Sequence, residues 1–204
     1  MLRDDLESRI GKSCDHVSDE SGCEFRLQHL QEIRNIPEEQ AYEAKILFRG
    51  PSQPQNLRPL IKIDLTFYER VLLPPLSKNI FHPYSDAFQS AVLVYPLEEI
   101  LAEKLRAILQ QKTRVPRPRD FYDVWTLLKG SSSRLNIQQI RTVFSEKCRF
   151  KNVSFTTHHD FFDPALLEKN RRAWRASIAR QMPSVIDFDQ VALELKLMLQ
   201  SMFA

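Results

Sequence analysis

The order of patterned segments predicts an α+β chain. Strand-like segments occupy the first half and helix-like segments the second, which is the arrangement of an α+β fold rather than an alternating α/β one. Residues 60–67 (LIKIDLTF) alternate apolar and polar side chains as a half-buried strand does. From Pro96 onward the apolar residues instead recur at helical spacing, broken by proline and opened by aspartate. With 204 residues, 43% of them hydrophobic, the chain can form one large or two small domains around a real core. The change of pattern divides it into an α/β region, residues 1–93, and a helical region, residues 94–204.

Leu2, Leu6 and Ile10 recur every fourth residue and predict a short helix, followed by a polar loop from Gly11 to Gly22. Cys23 to Leu30 reads as a strand with Phe25 and Leu27 on one face, and Ala41 to Arg49 as another. The run from Pro51 to Asn56 is a turn or loop. In the strand from Leu60 to Phe67, Ile61, Ile63, Leu65 and Phe67 share one face; Lys62, Asp64 and Thr66 share the other. Pro74, Pro75 and Pro83 predict an irregular stretch over 70–90, with a short β-rich run from Ala91 to Val94.

Pro96 suits the first turn of a helix reaching Gln110, with Leu97, Ile100, Leu101, Leu105 and Ile108 as its apolar stripe. A second helix starts near Asp120 and ends before Gly130. Further helices are expected from Ile137 to Cys148, from the Asp163-Pro164 cap, and from Asp187 with Val191, Leu195, Met198 and Met202 inward.

Composition excludes some classes and leaves others open. No run of about 18 apolar residues is present, so no membrane-spanning helix is expected. Asp4 and Asp5 do not fit a secretory signal. Three cysteines without paired spacing fit reduced thiols in a cytoplasm rather than a disulfide framework. The net charge of +3 says little about partners.

Lys104 is the odd residue of the first long helix, because it falls among the apolar stripe. Its stem could snorkel out of the core, or its ammonium could enter a cleft and meet a carboxylate or phosphate. Asp120 is either a favourable first-turn acid or the partner of Lys104 across a short antiparallel link. That link carries Lys112, Arg114, Arg117 and Arg119, a solvated turn or a phosphate contact. Asp64 belongs either to a solvent-facing strand surface or to a metal-dependent phosphoryl-transfer site.

These three patches, in this order, resemble the AbiEii/AbiGii-type nucleotidyltransferase toxins. Ile61-Lys62-Ile63-Asp64-Leu65 resembles that family's third carboxylate motif. Glu99 to Ala107 resembles its Glu-x-x-Ala-x-Lys-Leu-x-Ala helix, and Arg119 to Trp125 its Arg-Asp-x-Tyr-Asp-x-Trp helix. The likeness is good over residues 40–130 and general beyond Gly130. It implies a partial polymerase β-like sheet followed by helices, and transfer of a nucleotide from an NTP to an acceptor such as tRNA, with a cognate antitoxin as partner. By the same resemblance, Asp64 would be a catalytic carboxylate holding Mg2+. Lys104 would contact the NTP phosphates or activate the acceptor, and Asp120 would orient Lys104 or act as a base. Lys62, Arg106, Arg119 and Asp123 would bind substrate.

The family's Gly-Ser motif, followed by Asp-x-Asp, has no counterpart upstream of Asp64. Gly11-Lys12-Ser13 has no such pair after it, Asp4 and Asp5 are adjacent, and Gly130-Ser131 comes too late. A Met1 that falls after the missing motif predicts a truncated enzyme, inactive alone. It also predicts an exposed sheet edge and a marginal or oligomeric protein. The alternative is a non-catalytic remnant of the fold that binds RNA or a protein.

Weaker signals remain. Cys14, His16, Cys23 and His29 match no usual zinc spacing. His158-His159-Asp160 reads as a surface loop rather than a metal site. Arg171, Arg172 and Arg175 form a basic stripe, with Lys169 and Arg180 nearby, opposite Leu166, Ala173 and Trp174. The stripe is either a solvated face or, with Arg114 and Arg117, a contact for an RNA backbone.

Overall fold

The polar stretch after Ile10 does not leave the first helix; it continues it. In the computed structural model, which describes residues 2–35, 40–54, 59–67, 69–81, 89–112, 114–178 and 186–204, helix α1 runs over Leu2–Ser21. The expected loop from Gly11 to Gly22 is thus corrected. Cys14 gives the extension a buried residue. Ser18 ties its end to the following strand: its hydroxyl donates to the Cys14 carbonyl at 2.7 Å and accepts the Phe25 N–H at 2.8 Å. Gly22, at φ 65, ends the helix, its N–H donating to the Ser18 carbonyl at 3.1 Å.

The chain divides into two compact units, residues 1–69 and 70–204, whereas the change of sequence pattern falls at residue 93. In the first unit α1 lies on an antiparallel sheet of order β1–β2–β3, with β1 Glu24–Arg34, β2 Ala41–Arg49 and β3 Leu60–Thr66. Leu6 and Ile10 of α1 pack against Leu30, Tyr42 and Ala44. The first strand is longer than its sequence pattern suggests, and register shifts after Leu27 and after Glu32 interrupt its alternation. Central β2 is buried along most of its length. Of the expected apolar face, Leu65 on β3 and Phe67 just after it join that small core. Ile61 and Ile63 stay 42% and 36% exposed, so the face is only partly covered.

The second unit opens with a hairpin, β4 Leu76–Phe81 against β5 Gln89–Val94. The expected irregular stretch is therefore corrected over these residues; Pro74 and Pro75 precede the first strand instead of breaking it. Pro83 lies outside the described residues. Among the described residues five α-helices follow: α2 Leu97–Gln110, α3 Pro118–Ser131, α4 Ile137–Phe150, α5 Pro164–Ile178 and α6 Phe188–Met202. Helix α3 starts two residues before Asp120, with proline in its first turn, and passes through Gly130. Asn136, Asp163 and Asp187 cap α4, α5 and α6 by accepting backbone N–H groups.

The core of this unit gathers the stripes of all five helices. Leu101, Leu105 and Ile108 of α2 belong to one cluster with Phe121, Phe144 and Phe188. Phe121 and Phe188 meet edge to face at 5.6 Å. Burying each such ring contributes about 1.5–3 kcal/mol, and Leu101, Leu105 and Ile108 in the same cluster hold α2 beside α3 and fix the residues between them.

Candidate functional site

The packing of α2 on α3 brings Lys104 to two carboxylates. Its ammonium donates to Asp123 Oδ2 at 2.6 Å and to Asp120 Oδ1 at 3.1 Å. Asp120 lies in the first turn of α3 and Asp123 one turn further, so both face the same point on α2. Arg117 closes the cluster, its Nε lying 2.9 Å from Asp120 Oδ2. The Lys104 side chain is 25% exposed, that of Asp120 14% and that of Asp123 42%. The ammonium therefore leaves the apolar stripe at its rim, and it meets acids there rather than bulk water alone.

Burial, the largest single influence on Lys104, lowers its pKa; hydrogen bonds and charge from Asp123 and Asp120 together outweigh it and raise the value above 10.5. Lys104 is thus a fixed cation near neutral pH. Such a group can hold phosphate oxygens or offset developing negative charge. Both Asp120 oxygens are engaged by cations, which suits an orienting role. Proton abstraction by Asp120 would require one of those bonds to open.

Asn170 supports this cluster from beneath and was not singled out in the sequence. It is fully buried on α5; its Oδ1 accepts the Arg117 N–H at 2.7 Å and its Nδ2 donates to the Leu166 carbonyl at 2.8 Å. The signal was available: Asn170 sits four residues from both Leu166 and Trp174, on the inward face of α5. A buried amide with both ends bonded fixes the chain entering α3.

Arg106 is placed elsewhere. It is buried, 5% exposed, and bonds Glu103 and Gln110 within α2 rather than joining Lys104. Beside it lies a second charged cluster that the sequence patterns did not reveal. Lys147 of α4 is 2.7 Å from Glu99 and 3.1 Å from Glu103, and donates to the Arg70 carbonyl at 3.0 Å. Glu99 also accepts the N–H groups of Leu72, at 3.3 Å, and Leu73, at 3.1 Å. This cluster fastens the segment before the hairpin to α2. The motif residue Glu99 therefore holds the fold, and Arg106 stands with it rather than with the exposed groups.

The remaining basic residues differ in how engaged they are. Arg119 is exposed, and its Nε donates to the Ser177 carbonyl at 3.4 Å. Arg114 and Arg175 are exposed. Arg171 pairs with Glu168 and Asp189, both at 2.6 Å, and Arg172 with Glu168 at 2.8 Å. The stripe on α5 faces away from the core, yet two of its charges are already neutralised. Arg180 lies outside the described residues.

Asp64 and Lys62 belong to the first unit. Asp64 faces Glu43 across the β2–β3 ladder. Glu43 is held by Lys45 at 3.1 Å and Lys62 at 3.4 Å; these two lysines keep its carboxyl below the usual range despite some burial. Among the described residues no group of three or more His, Cys, Asp or Glu side chains could hold a metal ion. The acids among the described residues do not by themselves fit a two-metal centre. Cys14 is instead buried in a helix, and Asp160 spends its carboxylate on the N–H groups of Thr156, at 2.6 Å, and Thr157, at 3.2 Å. No described helix is long and apolar enough to cross a membrane.

Comparison with known proteins places the chain in a family. It belongs to the nucleotidyl transferase AbiEii toxins of type IV toxin–antitoxin systems, whose family model matches residues 2–194. No curated protein matches it. Among solved structures it is similar to JHP933 from Helicobacter pylori, at 12% identity and a TM-score of 0.43, over 87% of this chain and 64% of that one. The chain thus spans less than two thirds of that protein's length.

Proposed function

We propose that this AbiEii-family chain supplies the Lys104–Asp120 half of a nucleotidyltransferase site and transfers little or nothing by itself. The reaction is movement of a nucleotide from an NTP to an acceptor such as tRNA. The observation that carries the reading is the Lys104 ammonium held between Asp120 and Asp123 at 3.1 and 2.6 Å. A cation fixed in this way suits triphosphate oxygens or an acceptor under attack. Arg119, being exposed, and Asp123, half-buried with its side chain 42% exposed, can reach substrate; Arg106, being buried in its own network, serves the fold.

The complementary half is a Gly-Ser turn and an Asp-x-Asp pair, which the 204 residues do not contain upstream of Asp64. Asp64 would be the third metal carboxylate, with Lys62 beside it. Mg2+ would need two further acids from another polypeptide segment. A cognate antitoxin is the expected partner and the cytoplasm the expected compartment, in keeping with the free thiols of Cys14, Cys23 and Cys148.

The test is reconstitution. A segment bearing Gly-Ser and Asp-x-Asp, taken from an intact member of the family, is fused ahead of the chain and assayed with labelled NTP, Mg2+ and tRNA. Transfer that appears with the fusion and is lost with Lys104→Ala supports the reading. Transfer indifferent to Lys104→Ala removes it. The rival reading, a module that only binds RNA or protein, draws on the exposed Arg114, Arg119 and Arg175. It predicts RNA binding by the unfused chain that Lys104→Ala leaves unchanged.

A further inference from the structure

We infer that β3 is a self-complementary edge through which two copies of this chain pair antiparallel, about a twofold axis at Ile63. The inference does not rest on the proposed activity, and a dimer in which Asp64 meets Lys62 of the second copy is a state distinct from one in which Asp64 holds Mg2+. In the described residues β3 pairs with β2 alone, so its other edge carries no strand. The direction of its free groups follows from the ladder. The Phe67 N–H donates to the Gln40 carbonyl and the Phe48 N–H to the Pro59 carbonyl. Odd-numbered residues of β3 therefore bond β2, and the N–H and C=O groups of Lys62 and Asp64 point outward. An edge of this kind is a template for another strand.

The side chains select the partner and the register. Antiparallel pairing centred on Ile63 sets Lys62 opposite Asp64 of the second copy, and Asp64 opposite its Lys62. The same register sets Ile61 opposite Leu65. Centring on Lys62 or on Asp64 would oppose like charges, and a one-residue slip would oppose Ile61 to Asp64. Only the Ile63-centred register matches charge with countercharge and apolar with apolar. The exposed Ile61 and Ile63 would be covered by their counterparts. Asp64, which faces Glu43 within its own sheet, would gain the cation it lacks there. An isologous contact of this form closes as a dimer and does not propagate.

The inference is tested by sedimentation of the full chain, with amide hydrogen exchange. A dimer is expected at about 100 µM chain, a concentration that populates complexes of micromolar affinity. Asp64→Lys sets two lysines against two lysines and should weaken the dimer about tenfold. It should not weaken the fold, because the new lysine faces Glu43. The double variant Lys62→Asp/Asp64→Lys restores both cross-pairs and should recover association. Exchange protection of the Lys62 and Asp64 amides should rise with concentration, while that of Ile63 stays constant. A monomer throughout overturns the inference, as does a dimer indifferent to Asp64→Lys.

Discussion

The Asn170 side chain accepts the backbone N–H of Arg117 at 2.7 Å, and through that bond a residue of α5 sets the position of the acid that holds Lys104. Arg117 grips Asp120, and Asp120 grips Lys104. Asn170→Ala leaves the Arg117 N–H without its acceptor and should cost about 1–3 kcal/mol in urea unfolding. Asn170→Asp keeps the acceptor but sets a buried carboxylate oxygen against the Leu166 carbonyl, and should cost at least as much. A loss below about 0.5 kcal/mol with Asn170→Ala would mean that the bond to Arg117 is not the important one.

Lys104 also predicts a pH effect. Its pKa is raised on folding, so its contribution is fully present below about 10.5 and is lost as the pH climbs through the higher folded value. Lys104→Met should remove that increment. The stability difference between wild type and variant should be constant from pH 7 to about 10 and shrink above it. A difference that grows with pH would reverse the sign of this argument.

The Glu99–Lys147 pair should respond differently, because both groups are almost fully buried. Lys147→Met strands the Glu99 carboxylate and should destabilise the second unit by about 3–5 kcal/mol. Adding Glu99→Leu should recover part of this. Full recovery is not expected, because the Leu72 and Leu73 N–H groups lose their acceptor. A thermodynamic cycle from chemical denaturation measures both terms.

The thiols should separate in reactivity. Burial pushes the Cys148 thiol up to about 11, although Arg106 lies near, and burial likewise raises Cys14. Cys23 is half-buried. One fast thiol, Cys23, and two slow ones are expected with an aromatic disulfide reagent at pH 8. Fast labelling of Cys148 in the folded chain would contradict its burial.

Much of this structure was legible in the sequence because strong local signals agreed with the tertiary outcome. Pro96, Asp163-Pro164 and Asp187 open helices where their chemistry requires, and the Lys104–Asp120 pairing followed from an odd lysine and a short antiparallel link. The failures have physical causes. The second half of α1 is polar because one buried cysteine and the Ser18 bonds suffice to hold it, which leaves little apolar period to read. The β4–β5 hairpin was hidden by prolines that precede it. Asn170, Glu99 and Lys147 could not be placed from one-dimensional spacing alone, because their partners lie on other segments.

The proposed division of the transfer site, with Lys104 and Asp120 as one half, is tested most directly by incubating the purified chain with labelled NTP, Mg2+ and a tRNA pool, beside Lys104→Ala. The account predicts no label on acceptor or protein above the variant. Label transferred by the wild type and absent with Lys104→Ala would contradict the need for a second half.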